Sequence, residues 1–121
     1  MTKEQRVTIS VIAFMLISDK NVSSIYSYEE KKYVSVSGEA NQNGVNVYDY
    51  NRKCYITGSQ SSQNQYSLYD YGLKKHIDLN ISNNSFSGYD YGSKKYYEGK
   101  INGSSISLYD YETKKYHDFS I

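Results

Sequence analysis

The sequence predicts a mainly β fold, in which an antiparallel meander of about ten strands forms five hairpin repeats of 20–22 residues and curls around one N-terminal apolar helix. The first reason is a recurring motif. Tyr-Asp-Tyr, two variable residues and then Lys-Lys-Tyr or a close variant recur from Tyr48, Tyr69, Tyr89 and Tyr109, with a degenerate copy from Tyr26. The second reason is composition, because sixteen tyrosines and no proline favour pleated strands. The third is an apolar run that occurs once, before the repeats.

These observations divide a single domain, residues 1–121, into an N-terminal helix within 1–21 and five repeats within 22–121. A chain of this length can bury enough surface to fold around one core without disulfides or metals.

A helix is predicted from about Lys3 to Ser18. Thr2 and Gln5 are spaced as in a capping box, and the run 7–17 that follows is apolar except for two hydroxyl residues. Because the apolar side chains cover every side of this helix, we expect protein all around it.

Two other interpretations of this segment are weaker. A membrane span needs about 20 apolar residues, whereas this run has eleven. A signal peptide would explain Lys3 and Arg6 before the run, but Glu4 precedes it as well, Asp19 follows it, and no small-residue cleavage site is present. A buried structural helix is therefore favoured, and with it a cytoplasmic rather than an exported protein.

Each repeat is predicted to be a β-hairpin whose first strand ends on Tyr-Asp-Tyr and whose second begins on Lys-Lys-Tyr. In this register Tyr71 would face His76 and Tyr91 would face Tyr96 across the turn. Two-residue links are predicted at 83–84 and 102–103, and longer links at 41–44 and 60–64. The predicted strands are 23–28, 32–38, 44–50, 54–59, 65–71, 75–81, 85–91, 95–101, 104–111 and 115–121.

Alternation along the strands sorts the side chains into two faces. A core face collects Val34, Val36, Val45, Val47, Ile56, Leu68, Ile77, Leu79, Ile81, Phe86, Ile101, Ile106, Leu108, Phe119 and Ile121, with Gly58, Gly88 and Gly99 leaving room for close neighbours. The other face collects fourteen tyrosines and His76. We expect the core face to curl around the helix as a closed or nearly closed barrel. The alternative is an open single-layer sheet with the helix on its apolar side and two exposed edges.

The repeat resembles the YD repeats of RHS-type bacterial shell proteins in its Tyr-Asp dipeptide, basic turn and period near twenty, from Tyr48 to the C-terminus. It departs from that family where Lys74-Lys75 and Lys94-Lys95 replace a Gly-Arg step. The resemblance implies an antiparallel, curling β-architecture and a bacterial source. It does not imply the family's toxin enclosure, because the arrays that perform it are far longer.

The candidate chemistry is sparse. The aspartates Asp49, Asp70, Asp90 and Asp110 should lie on the core side at the hairpin ends and accept hydrogen bonds from turn amides. Their spacing lacks the pattern of a calcium loop, so no metal is predicted.

No catalytic arrangement is predicted either. His76 and His117 should lie on opposite faces of the sheet, and no histidine is directed at the lone Cys54. With no glycine-rich phosphate loop as well, we expect no enzyme activity and no cofactor.

The net charge of +1 argues against nucleic acid as a partner. Basic residues should instead form a solvated rim at the hairpin turns. The predicted rim contains Lys31, Lys32, Lys53, Lys74, Lys75, Lys94, Lys95, Lys114 and Lys115, with Arg52 among them.

The tyrosine-rich face is the predicted working surface, because tyrosine offers a large, rigid contact area and is favoured in protein interfaces. The predicted function is non-enzymatic binding of a protein partner or self-association. The alternatives are a glycan-binding module that stacks sugars on the same rings, or a purely structural scaffold of cross-strand aromatic pairs. The predicted binding residues are Tyr48, Tyr50, Tyr69, Tyr71, Tyr89, Tyr91, Tyr109 and Tyr111.

Overall fold

The computed structural model describes residues 1–121 and contains one helix and ten strands. The helix α1 spans Lys3–Ser18, as predicted. The strands are β1 (Ser24–Ser27), β2 (Lys32–Asn41), β3 (Gly44–Asp49), β4 (Cys54–Ser62), β5 (Gln65–Asp70), β6 (Lys75–Ser82), β7 (Ser85–Asp90), β8 (Lys95–Asn102), β9 (Ser105–Asp110) and β10 (Lys115–Ser120).

The strands form one closed antiparallel barrel, in which each strand pairs with its neighbours in sequence and β1 pairs with β10. The open-sheet alternative is therefore wrong. The pairing of β1 with β10 that closes the barrel is short, because only Tyr26 and Ser27 of β1 pair with β10, opposite Ser120 and Phe119. We call this short junction the seam.

Helix α1 occupies the interior of the barrel. Every residue from Gln5 to Met15 is buried, and α1 contacts β1, β2 and β10 on one side and β6 on the opposite side. Thr2 Oγ1 accepts a hydrogen bond from the amide of Gln5 at 3.0 Å. The Gln5 side chain forms no reciprocal bond, so only half of the predicted capping box is present. No helix combines the length and apolar character needed to cross a membrane.

The predicted core face points inward and packs on α1, although Ile121 is exposed and Ile81 is only partly buried. Gly88 lies on the core face, and its neighbours explain why this position has no side chain. The buried Tyr97 crosses over it to donate a hydrogen bond from its hydroxyl to the Asp78 carbonyl at 2.7 Å. A Cβ on Gly88 would collide with this ring and with the Asp78 carbonyl, so the glycine admits the second-strand aromatic into the core.

The hairpin turns are longer than predicted because the first strand of each hairpin ends at the middle residue of its motif, which is Ser27 in the first repeat and an aspartate in the other four. Asp70 pairs with Lys75 and leaves the four residues 71–74 as the turn. The Asp70 carbonyl accepts from the Lys74 amide at 2.7 Å, and Lys74 closes the turn with a left-handed φ of 57°. Tyr69, not Tyr71, therefore faces His76. The same shift places Tyr89, not Tyr91, opposite Tyr96.

All four links between repeats have two residues, because the flanking pairs are 41 with 44, 62 with 65, 82 with 85 and 102 with 105. The link at 83–84 matches its prediction. The link at 103–104 lies one residue later than predicted, and the two links predicted to be longer are shorter. In the second of these, a register shift between Gln60 and Ser62 absorbs the extra residue.

Enclosure of α1 predicts a large cost for shortening its side chains. Phe14 is 7 % exposed, and Phe14→Ala should lower the free energy of unfolding by about 3 kcal/mol, because it removes buried apolar contacts and leaves a cavity. Urea unfolding of both proteins measures the difference. Leu73→Ala, at an exposed turn position, is the control and should cost less than about 0.5 kcal/mol. Equal costs for the two variants would contradict enclosure.

Candidate functional site

An aromatic group stands on the outer wall in each of the five repeats, close to the hairpin turns. We call the five groups together the tyrosine girdle. Its members are Tyr26, Tyr28 and Tyr33; Tyr48, Tyr50 and Tyr55; Tyr69, Tyr71 and His76; Tyr89, Tyr91 and Tyr96; and Tyr109, Tyr111 and Tyr116.

The repeat motif builds each group in the same way. The first tyrosine of Tyr-Asp-Tyr is the second-last residue of its strand, the second begins the turn, and the third ring comes from the paired strand. In the fourth repeat the Tyr89 ring centre lies 4.9 Å from those of both Tyr91 and Tyr96, with interplanar angles of 81° and 66°. Such edge-to-face pairs contribute about 0.5–1.5 kcal/mol beyond area burial. The central ring therefore supports the two outer rings.

Exposure separates the predicted binding residues into two kinds. The central tyrosines Tyr48, Tyr69, Tyr89 and Tyr109 are partly buried between their neighbours. Tyr50, Tyr71, Tyr91 and Tyr111 present about half of their surface to solvent, from 44 % at Tyr111 to 55 % at Tyr71. The structure adds second-strand tyrosines that were absent from the predicted set, and these reach 73 % exposure at Tyr33. The alternation of side chains along the strands had already placed these tyrosines on the outer face of the sheet. The sequence therefore contained the information needed to include them in the predicted set.

The girdle borders a groove of about 950 Å³ along β6, β7 and β8. The Tyr91 hydroxyl donates to Asp78 Oδ2 at 3.0 Å, and the Tyr111 hydroxyl donates to Glu98 Oε1 at 2.8 Å. These hydrogen bonds raise the pKa of both phenols. Asn80 also lines the groove. The outer rings here are thus neutral, oriented donors beside carboxylates.

The inner side of the same turns carries the predicted aspartates. Asp49, Asp70, Asp90 and Asp110 are all buried, and each accepts hydrogen bonds from turn amides. Asp70 Oδ1, for example, accepts from the amides of Gly72 and Leu73 at 2.9 and 3.1 Å. The predicted role in the turns is confirmed.

The first turns of α1 contact these aspartates at the end of the barrel that carries the hairpin turns, which we call the mouth of the barrel. The Arg6 guanidinium donates to Asp110 Oδ2 at 3.1 Å and to Glu29 Oε1 at 3.0 Å. The Thr8 hydroxyl donates to Asp49 Oδ2 at 2.8 Å. Buried charges are tolerated when they are paired and hydrogen-bonded, so this network holds the helix to the turns.

Arg52 does not join the lysine rim, contrary to prediction. Its side chain is 9 % exposed and contacts Asp70 Oδ1 at 2.7 Å, which links two neighbouring repeats. Burial by itself would lower the pKa of Arg52, but the hydrogen bond and the charge of Asp70 raise it. The guanidinium therefore stays charged.

A second unpredicted cluster spans the seam. His117 Nδ1 lies 3.0 Å from Glu29 Oε2, and its Nε2 lies 2.8 Å from the Thr113 hydroxyl. Burial and the nearby Arg6 charge lower the pKa of His117, against the opposite effects of Glu29 and Asp110. Burial would raise the pKa of Glu29, but its bond to Arg6 lowers it. A neutral imidazole and a charged carboxylate therefore connect the β1–β2 turn to β10.

This hydroxyl–imidazole–carboxylate chain has the connectivity of a hydrolytic triad. The His117 imidazole is buried, and Thr113 Oγ1 also lies 3.3 Å from the Asp110 carbonyl, to which it can donate. As predicted, His76 is exposed on the opposite face. The arrangement stabilises the seam.

Cys54 is a free cysteine that is partly buried. Burial raises the pKa of the Cys54 thiol, which disfavours the nucleophilic thiolate. No group of three or more histidine, cysteine, aspartate or glutamate side chains is placed to hold a metal ion.

No protein-family model matches this chain, and no curated protein or solved structure is significantly similar to it. The resemblance to YD repeats stays a prediction.

The structure predicts different losses of stability for the same substitution at two of the turn aspartates. Asp49→Asn and Asp70→Asn both keep an oxygen for the turn amides, but only Asp70→Asn leaves a buried arginine without its anion. We expect losses of about 1 kcal/mol for Asp49→Asn and about 3 kcal/mol for Asp70→Asn in urea unfolding. Equal losses would show that the Arg52 pair adds nothing.

The His117 cluster predicts acid sensitivity. Because folding lowers the pKa of His117, the unfolded chain binds more protons, and the free energy of unfolding should fall as the pH drops through about 6.5. His117→Gln should remove this step and leave the separate loss from Glu29 below about pH 4.5. Urea unfolding across this pH range measures both steps, and His76→Gln controls for loss of an imidazole. A step that persists in His117→Gln would contradict the assignment.

Proposed function

We propose that the protein is a non-enzymatic binding protein whose tyrosine girdle binds a protein partner, including a second copy of this chain. The observation that supports this most directly is the exposure of the outer rings. Nine tyrosines of the girdle are between 44 % and 73 % exposed. Clustered exposed aromatics of this kind mark interaction sites.

The arrangement of the girdle suits a protein interface. Each outer ring is fixed by an edge-to-face contact with a central ring, so little side-chain freedom is lost on binding. Exposed lysines accompany the rings in the fourth repeat, where Lys94 and Lys95 line the groove together with Tyr91 and Tyr96. A rigid aromatic centre with a charged rim is the usual composition of such interfaces.

Repetition also favours a large partner surface. Neighbouring aromatic groups are separated by two strands, which places them about 10 Å apart around the wall. A partner that covers two adjacent repeats would contact up to six aromatic rings, and a few such anchors carry most of the energy of an interface.

A glycan is the second candidate, and the groove favours it. Asp78 and Glu98 each have one oxygen fixed by a tyrosine hydroxyl, which leaves the other oxygen for a ligand. Asn80 and Ser87 add uncharged polar groups. Ring faces beside carboxylates and amides can stack a sugar and hydrogen-bond its hydroxyls.

The proposal predicts different effects from the outer and central rings. Replacing Tyr71, Tyr91 and Tyr111 with serine should abolish partner capture and lower the melting temperature less than the same change in the central rings does, because each outer ring forms one edge-to-face pair and each central ring forms two. The measurements are thermal unfolding, light scattering over a concentration series for self-association, and capture from lysate of the source cell with wild-type and variant baits.

The matched control replaces the central Tyr69, Tyr89 and Tyr109 with serine, which should lower stability by up to about 1 kcal/mol per ring. Binding of both wild type and a Tyr91→Phe variant to a polysaccharide, with no captured protein, would favour the glycan. If the wild type neither self-associates nor captures anything that the outer-ring variant fails to capture, the girdle is only a scaffold.

A further inference from the structure

The barrel wall has a gap at the end opposite the hairpin turns. Strand β1 begins at Ser24, which pairs with Ser35 of β2, whereas β2 continues to Asn41. Beyond Ser35, the only backbone bond to β2 from this side is the Val36 amide to the Ser23 carbonyl, at 2.9 Å. Residues 37–41 therefore pair with β3 on one side and have no strand on the other.

A cleft of about 540 Å³ lies beside this free edge. Its walls are the segment 21–24, residues 36–38 of β2 and the C-terminal Ile121. Val22 is partly buried against the core and contributes apolar surface, and Ile121 is exposed at its border. Gly38 adopts a φ of 105°, and a Cβ there would collide with the Asn46 carbonyl, so no side chain projects from this point of the edge.

From this geometry we infer that the gap is a docking site for one extended peptide segment of a partner protein, which adds as a strand to residues 37–41 of β2. A free strand edge presents backbone donors and acceptors in a row, and an extended peptide is the ligand that satisfies them. The cleft takes the apolar side chains that point inward from the added strand.

The charge at the free edge of β2 indicates which kind of peptide segment can bind there. Glu39 lies in the middle of the free edge, is exposed and forms no ion pair. Antiparallel pairing of residues 37–41 with the same five residues of a second copy would, at full overlap, place two Glu39 carboxylates opposite each other, and like charges directly opposite are destabilising. The site therefore fits a foreign strand with lysine or arginine opposite Glu39.

The test uses the full chain and two synthetic peptides. The first is an acetylated, amidated Thr-Val-Lys-Val-Thr-Val, and the second has glutamate in place of lysine. We expect the lysine peptide to bind about five-fold more tightly, from one cross-strand charge pair. Amide chemical shifts in NMR titrations should move for Gly38 and Ala40, whose N–H groups alternate with that of Val36 on the side away from β3, and stay in place for the girdle residue Tyr91.

A charge reversal supplies the control. Glu39→Lys, at an exposed position that should not affect folding, should invert the preference between the two peptides. Asp118→Lys, at an exposed position of β10 that also forms no ion pair, should leave the preference unchanged. The proposal is overturned if neither peptide moves the amides of residues 37–41 at millimolar concentration, if Glu39→Lys leaves the preference unaltered, or if the chain dimerises through this edge. None of these results bears on capture by the tyrosine girdle, which is measured with the outer-ring variants.

Discussion

The hydrogen bonds between each buried aspartate and its turn amides are the interaction on which the rest of this structure depends. Successive residues of a strand point to opposite faces, so an aspartate fixed inside the barrel forces both tyrosines of Tyr-Asp-Tyr outside it. The same carboxylates provide the anions that Arg6 and Arg52 require. One tripeptide therefore sets the end of the strand, the anchor for the helix and the position of the tyrosine girdle.

The helix and the barrel need each other for reasons of packing. Without α1, the inward-pointing side chains of the ten strands would have to fill the interior of the barrel. Helix α1 fills it instead, with residues that are buried on every side. A helix without a polar face has no stable exposed state. The barrel supplies a partner for some polar side chains of α1, as at Thr8, which donates to Asp49, whereas Gln5 and Ser10 are buried without one. The mouth of the barrel is therefore polar inside.

Local sequence patterns predicted the helix and the strands. The features that the sequence analysis missed depend on contacts between residues that are distant in sequence. Thr2 and the apolar run after it fixed both ends of α1, and alternation assigned the two faces of the sheet. Asp70 ended its strand one residue early, because its side chain and its carbonyl both take turn amides. The Arg52–Asp70 pair depends on the register between repeats, which no local pattern specifies. The bond between His117 and Glu29 joins residues 88 apart in sequence, so it appears only once the barrel is closed.

The first repeat departs from the others where closure requires it. Ser27 takes the place of the aspartate and bonds the Glu30 amide at 3.2 Å, while the anion comes from Glu29 in the turn. Arg6 already contacts Glu29 and Asp110, so a fifth buried aspartate beside Glu29 would add a third carboxylate, at a cost in desolvation and repulsion. Glu29 instead contacts Arg6 of α1 and His117 of β10 together. Because one carboxylate joins the helix to both sides of the seam, closing the barrel and enclosing the helix are coupled, and the narrow β1–β10 pairing does not have to hold the barrel shut alone.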